Sequence, residues 1–141
     1  MSIGVNALYL LLEKAAQLFN DDYDVEVFEA HHRNKVDAPS GTALKMAEVV
    51  AQAKGRDLDE IADWARHGVT GVREKGRIGF SVFRGGDVIG DHTVSFAGPG
   101  ERIELTHKAT NRTIYASGSI QAALFLKDKD KGFYSMRDLM V

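Results

Sequence analysis

Between Asn6 and Phe19 the apolar residues Leu8, Leu11, Leu12, Ala15, Ala16 and Phe19 recur at helical spacing, with Glu13, Lys14 and Gln17 on the other side. That spacing predicts an amphipathic helix, capped by Asn6 or by Ser2 further back and ended by the polar turn Asn20-Asp21-Asp22. From Asp24 to His31 apolar and polar residues alternate, as in a strand with one buried face. Pro39 disfavours helix at Ala38, so Ser40 or Gly41 is the cap of a second helix, with Leu44, Ala47, Val50 and Ala51 buried and a stop after Ala53 at Lys54-Gly55. Leu58, Ile61, Ala62 and Ala65 predict a third helix from Asp57 to about His67, with Gly68 as its C-terminal cap and Trp64 at its edge.

Beyond Gly76 the period changes to two. Short β-prone runs at 78–83, 92–96 and 102–107 are separated by the turns Gly85-Gly86-Asp87 and Ala97-Gly98-Pro99-Gly100. A closing helix is expected from Ser119 to Leu126, followed by a charged break at 127–131 and an apolar end, Phe133 to Met140. This order does not repeat βαβ units. It predicts an α+β (mixed α/β) fold, an open sheet covered by helices, in one domain over residues 1–141.

Composition narrows the function. With 44% hydrophobic residues in 141, the chain can build one real core. A net charge of -2 without a sustained Lys/Arg run argues against a general nucleic-acid surface. No segment approaches the ~20 apolar residues of a membrane helix, no basic region precedes an apolar core as in a signal peptide, and a cytoplasmic location is expected. Without cysteine there is no disulfide, thiolate nucleophile or cysteine metal site.

One stretch concentrates chemistry: His31, His32, Arg33 and Lys35 lie within five positions and are followed by Pro39-Ser40-Gly41-Thr42. The second group opens a helix. Its free N–H groups, the positive end of the macrodipole and the hydroxyls of Ser40 and Thr42 suit a small anion, a carboxylate or phosphate. Adjacent strand residues point to opposite faces, so His31 and His32 do not chelate one metal ion readily, and Asp37 is expected on the far side of Lys35. Acid–base chemistry is the better use of a histidine beside cations, which disfavour its charged form until an anion arrives. Gly85-Gly86 reads as a turn only, and His67, His92 and His107 as structural or surface residues. Arg84 and Arg112 are candidate ligand contacts that nothing in the sequence places. There is neither a Gly-x-Gly-x-x-Gly after a strand nor a Gly-x-x-x-x-Gly-Lys-Ser/Thr loop.

The run from Glu29 to Ala43, Glu-Ala-His-His-Arg-Asn-Lys-Val-Asp-Ala-Pro-Ser-Gly-Thr-Ala, resembles the signature of the 4-hydroxy-tetrahydrodipicolinate (dihydrodipicolinate) reductases of bacterial lysine and diaminopimelate synthesis. Ser2 to Asn6, Ile78 to Phe80, Arg84 to Asp87, Gly90 to Thr93 and Thr106 to Ala109 resemble further family segments, and Asn34 stands where histidine is common. The resemblance implies the C-terminal domain of a two-domain enzyme, binding a small dicarboxylate and forming a homotetramer through its sheet. The Rossmann domain for NADH or NADPH is expected outside this chain, so that no cofactor binds the chain alone and it does not turn over. Residues 118–141 are expected to pack on that nucleotide domain. By the same resemblance His31 and Lys35 are catalytic, and His32, Ser40, Gly41 and Thr42 bind substrate. Arg112 contacts cofactor phosphate, and no residue binds metal. The alternative is a non-catalytic anion-binding or assembly domain.

Overall fold

The computed structural model describes residues Met1–Val141. Helix α1 (Ile3–Leu18) is capped by Ser2, whose hydroxyl accepts from the amide of Val5 at 3.3 Å. Of the two candidate caps the structure therefore uses Ser2, and Asn6 turns its side-chain amide back onto the carbonyl of Ser2. Strand β1 (Asp24–His31) follows, then α2 (Gly41–Ala53), α3 (Leu58–Ile61), β2 (Ala62–Asp63), β3 (Ile78–Arg84), β4 (Gly90–Gly98), β5 (Glu101–Ala109) and α4 (Thr113–Leu126).

The strands form one sheet in the order β2-β3-β1-β4-β5. The first three run parallel, and β4 and β5 are antiparallel to their neighbours. Pro99 and Gly100 connect β4 to β5, with Gly100 at φ 82°, the second central position of a turn that requires a left-handed residue. The α+β expectation of an open mixed sheet covered by helices is met.

Alternation along the strands divides the sheet into two faces. Val25, Val27, Ile78, Phe80, Val94 and Phe96 point to one side and pack beneath Leu8, Leu12, Ala15 and Ala16 of α1 and Ala43, Met46, Ala47 and Val50 of α2. The alanines and the two-stripe patterning let both helices lie on the same face. Opposite them the sheet is open: Phe28 and Phe83 are exposed there among Ser81, Thr93 and Thr106.

The predicted third helix is the main correction. Asp57 caps it as a helix start, but α3 lasts only four residues because the chain turns at Ala62 into β2, where Ala62 and Asp63 extend the sheet beside Ile78 and Gly79. Trp64 then stacks on Phe80, with ring centroids 5.0 Å apart. Pairing with an open sheet edge and burial of Ala62 outweigh the helical spacing, and arginines hold the irregular segment that follows. Arg77 reaches Asp63 and the carbonyls of Glu60 and Ala62, and Arg73 reaches Glu26 and the carbonyl of Val25. Helix α4 begins at Thr113 rather than Ser119. Gly118 lies inside it, buried, where a Cβ would run into the carbonyl oxygen of Met1, so the weak helix former is the one residue that admits the N-terminus. After α4 the chain ends in turns that return to α1, where Arg137 pairs with Glu13 at 2.7 Å.

The two leucines at 11 and 12 separate core from surface within one turn. Leu12 is fully buried and Leu11 is 56% exposed. Leu12→Ala is expected to cost about 2–5 kcal/mol and Leu11→Ala about 0.5 kcal/mol or less, read from the shift of the urea unfolding midpoint.

Candidate active site

The ends of β1 and β3, the start of β4, the end of β5 and the first turn of α2 meet at one end of the sheet. His31 is the last residue of β1 and lies on the helix-covered face, 8% exposed. Two positions earlier on that face is Glu29, 3% exposed. A carboxylate there must have its acceptor sites filled. Each oxygen receives two donors: Oε1 accepts from the amide of Ser40 at 2.8 Å and from Arg84 Nη2 at 2.8 Å, and Oε2 is 2.7 Å from both Arg84 Nη1 and His31 Nδ1. Burial pushes the Glu29 carboxyl up, but the hydrogen bonds of Arg84, His31 and Ser40 outweigh it and hold the group below its ordinary value. Glu29 is therefore an anion, His31 donates through Nδ1, and the Nε2 edge of its ring rests against Gly90, where a Cβ would sit 3.1 Å away. Glycine at 90 leaves that nitrogen room.

Ser40 caps α2 through its hydroxyl, which accepts from the amide of Ala43 at 3.2 Å and lies 3.0 Å from His92 Nε2. With its amide committed to Glu29 and its side-chain oxygen in contact with Ala43 N and His92 Nε2, Ser40 is 2% exposed. The amides of Gly41 and Thr42, the first two of the helix, have no intrahelical acceptor and remain for a ligand. His92, expected to be structural or surface, is structural: it is buried beside Ser40. Burial first, then the neighbouring His31, pulls its imidazolium down to about 4, so it is neutral at pH 7. Its ring meets that of His31 edge-on at 5.0 Å.

His32 follows the strand and is half-buried. Lys35 is half-buried in the loop beyond, its amide donating to the carbonyl of His32 at 3.1 Å. Its ammonium pairs with Asp37 at 2.7 Å, and the hydrogen bond from Lys35 holds the Asp37 carboxyl down. The Gly85-Gly86 turn also belongs here: the amide of Gly85 donates to the carbonyl of His31 and the carbonyl of Gly86 accepts from the amide of Arg33. Arg112 begins α4 three residues after Ala109, the partner of Gly90, and is exposed without an ion pair. It leaves the sheet at the end where His31 sits. No group of three His, Asp or Glu side chains is arranged to hold a metal ion, and no helix is long and apolar enough to cross a membrane.

Sequence reasoning missed Glu29, the centre of the cluster, and His92. A signal for Glu29 existed: a carboxylate two residues before His31 falls on the same strand face, within reach of its ring.

Comparison with known proteins gives the chain a family. The family model described as dihydrodipicolinate reductase, C-terminus, matches residues 4–140. The chain is 61% identical over 140 residues to the 4-hydroxy-tetrahydrodipicolinate reductase of Herminiimonas arsenicoxydans, covering 99% of this chain and 52% of that protein. It is 60% identical over 140 residues to that of Cupriavidus metallidurans, covering 99% and 53%. A solved structure of dipicolinate-bound dihydrodipicolinate reductase from Paenisporosarcina sp. TG-14 superimposes with a TM-score of 0.66 at 25% identity, covering 96% of this chain and 52% of that one. The chain spans about half the length of the curated relatives it matches. With nearly every residue inside the family model, the chain belongs to the dihydrodipicolinate reductase family, of which it carries the C-terminal domain.

Proposed function

We propose that this domain binds 4-hydroxy-tetrahydrodipicolinate and supplies the proton chemistry for its reduction to tetrahydrodipicolinate in lysine and diaminopimelate synthesis. The observation that carries the reading is the state of His31: Nδ1 is given to an ionised carboxylate, which leaves Nε2, against Gly90, as the nitrogen free for proton exchange. A cyclic dicarboxylate matches this set. One carboxylate takes the amides of Gly41 and Thr42 with the cation of Lys35 and the ring of His32 near it, while His31 faces the reacting ring. Pyridine-2,6-dicarboxylate, the dicarboxylate named for the Paenisporosarcina structure, has this chemistry.

Reduction with loss of the 4-hydroxyl consumes one hydride and one proton and releases water. NADH or NADPH supplies the hydride when bound. The chain has no glycine-rich strand-to-helix loop to cradle a dinucleotide, and Arg112, exposed and unpaired, is its one candidate contact to cofactor phosphate. The residues of this domain therefore hold the carboxylates and move protons. Lys35 donates, and His31, its tautomer set by Glu29, exchanges a proton through Nε2. The nucleotide site belongs to the other half of the enzyme, on which the exposed apolar side chains of residues 118–141, Ile120, Leu124 and Phe133, pack. We place the enzyme in the cytoplasm as a homotetramer assembled through the open sheet face, where Phe28 and Phe83 are exposed.

Calorimetry of the chain with pyridine-2,6-dicarboxylate is expected to show one site, weakened about tenfold by Lys35→Ala or His32→Ala, the loss of one charge-assisted hydrogen bond. The chain alone is expected not to oxidise NADH or NADPH. With the N-terminal half of the Herminiimonas arsenicoxydans relative restored, turnover is expected, and His31→Ala or Lys35→Ala lowers kcat about 10²–10⁴-fold. Binding that survives while neither substitution touches kcat would favour a non-catalytic dicarboxylate-binding domain. Light scattering of the chain is expected to give a tetramer, which Phe28→Asp with Phe83→Asp reduces to smaller species; a monomeric wild-type chain would remove the sheet face from this assignment.

A further inference from the structure

We infer that Glu29 and Arg84 form the positioning pair of this site, one ion pair that sets both the tautomer of His31 and the placement of the loop carrying Lys35. The inference rests on the roles proposed for those two residues. Ion pairs with a buried carboxylate seldom add stability over apolar packing, because desolvation consumes much of the attraction. What this pair supplies is direction. The four donors on Glu29 come from three different elements: His31 from the end of β1, Ser40 from the start of α2, and Arg84 from the end of β3. Arg84 then extends the network. Its Nη2 also donates to the carbonyl of Asp37 at 2.6 Å, and the carboxylate of Asp37 holds the ammonium of Lys35 at 2.7 Å. A continuous path of polar contacts thus runs from His31 through Glu29, Arg84 and Asp37 to Lys35. The two side chains that handle protons share one anchor.

The consequence of Glu29→Gln follows from donor counting. A glutamine keeps the shape but replaces one acceptor oxygen by an NH2 group, which must face a former donor. The Ser40 amide and the Arg84 guanidinium have no acceptor form, whereas an imidazole acquires one by changing tautomer. At the Oε1 position the NH2 would meet two fixed donors, the Ser40 amide and Arg84 Nη2; at Oε2 it meets one, Arg84 Nη1, which keeps the carbonyl of Phe83 as acceptor, so the NH2 turns to His31 Nδ1 and the ring proton moves to Nε2. In that tautomer Nε2 has lost its lone pair toward the ligand.

The tautomer is read from ¹⁵N shifts and ¹H–¹⁵N couplings of the histidine rings in the 141-residue chain. The Nδ1–H form of His31 is expected in wild type and the Nε2–H form in Glu29→Gln. In the two-domain enzyme Glu29→Gln is expected to lower kcat about 10²-fold with a smaller change in KM and an altered pH profile. Arg84→Lys, which keeps the charge and gives up the fork, is expected to retain the Nδ1–H form and to lower kcat about tenfold through the Lys35 loop. If Glu29→Gln does not fold, as judged by circular dichroism, Arg84→Lys decides alone, and wild-type kcat in it overturns the inference. A folded Glu29→Gln with the wild-type tautomer and kcat also overturns it. A moved tautomer together with full activity of His31→Gln would instead show that the role proposed for His31 is wrong and the positioning right.

Discussion

A carboxylate taken out of water must find donors for all its lone pairs, and at Glu29 that requirement organises one end of the molecule. Satisfying it draws the end of β1, the end of β3 and the residue that caps α2 to a common point. Each of those ends also closes a different piece of local structure: the amide of Ser40 is free for Glu29 because its hydroxyl performs the capping, and Arg84 is straight enough to fork onto the carboxylate because β3 runs parallel to β1, with His31 paired to Arg84. The core beneath needs no such accuracy. It is built of aliphatic residues and alanines that tolerate exchange of shape at similar volume, whereas the polar end tolerates neither loss nor reversal of a donor.

The asymmetry of the sheet follows from the same economy of faces. Helices α1 and α2 cover one side completely at the middle strands, so alternation along β1 and β4 places Val27 and Val94 in the core and sends Phe28 and Thr93 outward. Continuing the covered face toward the strand ends changes it from apolar to titratable, through Glu29, His31 and His92, without any break in the pleat. The site is thus the polar margin of the core. This explains why its histidines are buried, why His92 stays neutral, and why the helix that covers the core delivers its N-terminus there.

How much of this was legible in the sequence depended on whether the information was local. The period of α1, the alternation of β1 and the Ser-Gly-Thr start of α2 are local, and each was read with its end within a few residues of the observed one. The short third helix was misread because Leu58, Ile61, Ala62 and Ala65 satisfy a helical spacing while the deciding interaction, the pairing of Ala62 with Ile78, joins residues far apart in the chain. Helix α4 begins six residues before the expected Ser119 and runs through Gly118, a weak helix former whose place is explained only by the N-terminus packed against it. At the site, the cation cluster and the helix start were evident, and what escaped was every partner supplied across the sheet: Arg84 to Glu29, His92 to Ser40, and the Gly85-Gly86 turn to His31 and Arg33. Residue types could nominate Ser40 as a ligand contact but could not reveal that its amide serves Glu29 and its hydroxyl lies against His92.

That last point bears on how a domain of this kind divides its work. In the proposed function the ligand is held by groups the fold leaves unused: the amides of Gly41 and Thr42, the ring of His32 and the ammonium of Lys35, which has only the exposed carboxylate of Asp37 to release. The groups that position His31 are already engaged by the fold: Glu29, Ser40 and His92 are buried, and the half-buried Arg84 forks onto Glu29. Separating holding residues from positioning residues in this way keeps the histidine's tautomer independent of substrate binding. Hydride transfer can then be supplied by another domain closing over the site, because the proton chemistry is already oriented on this one before closure.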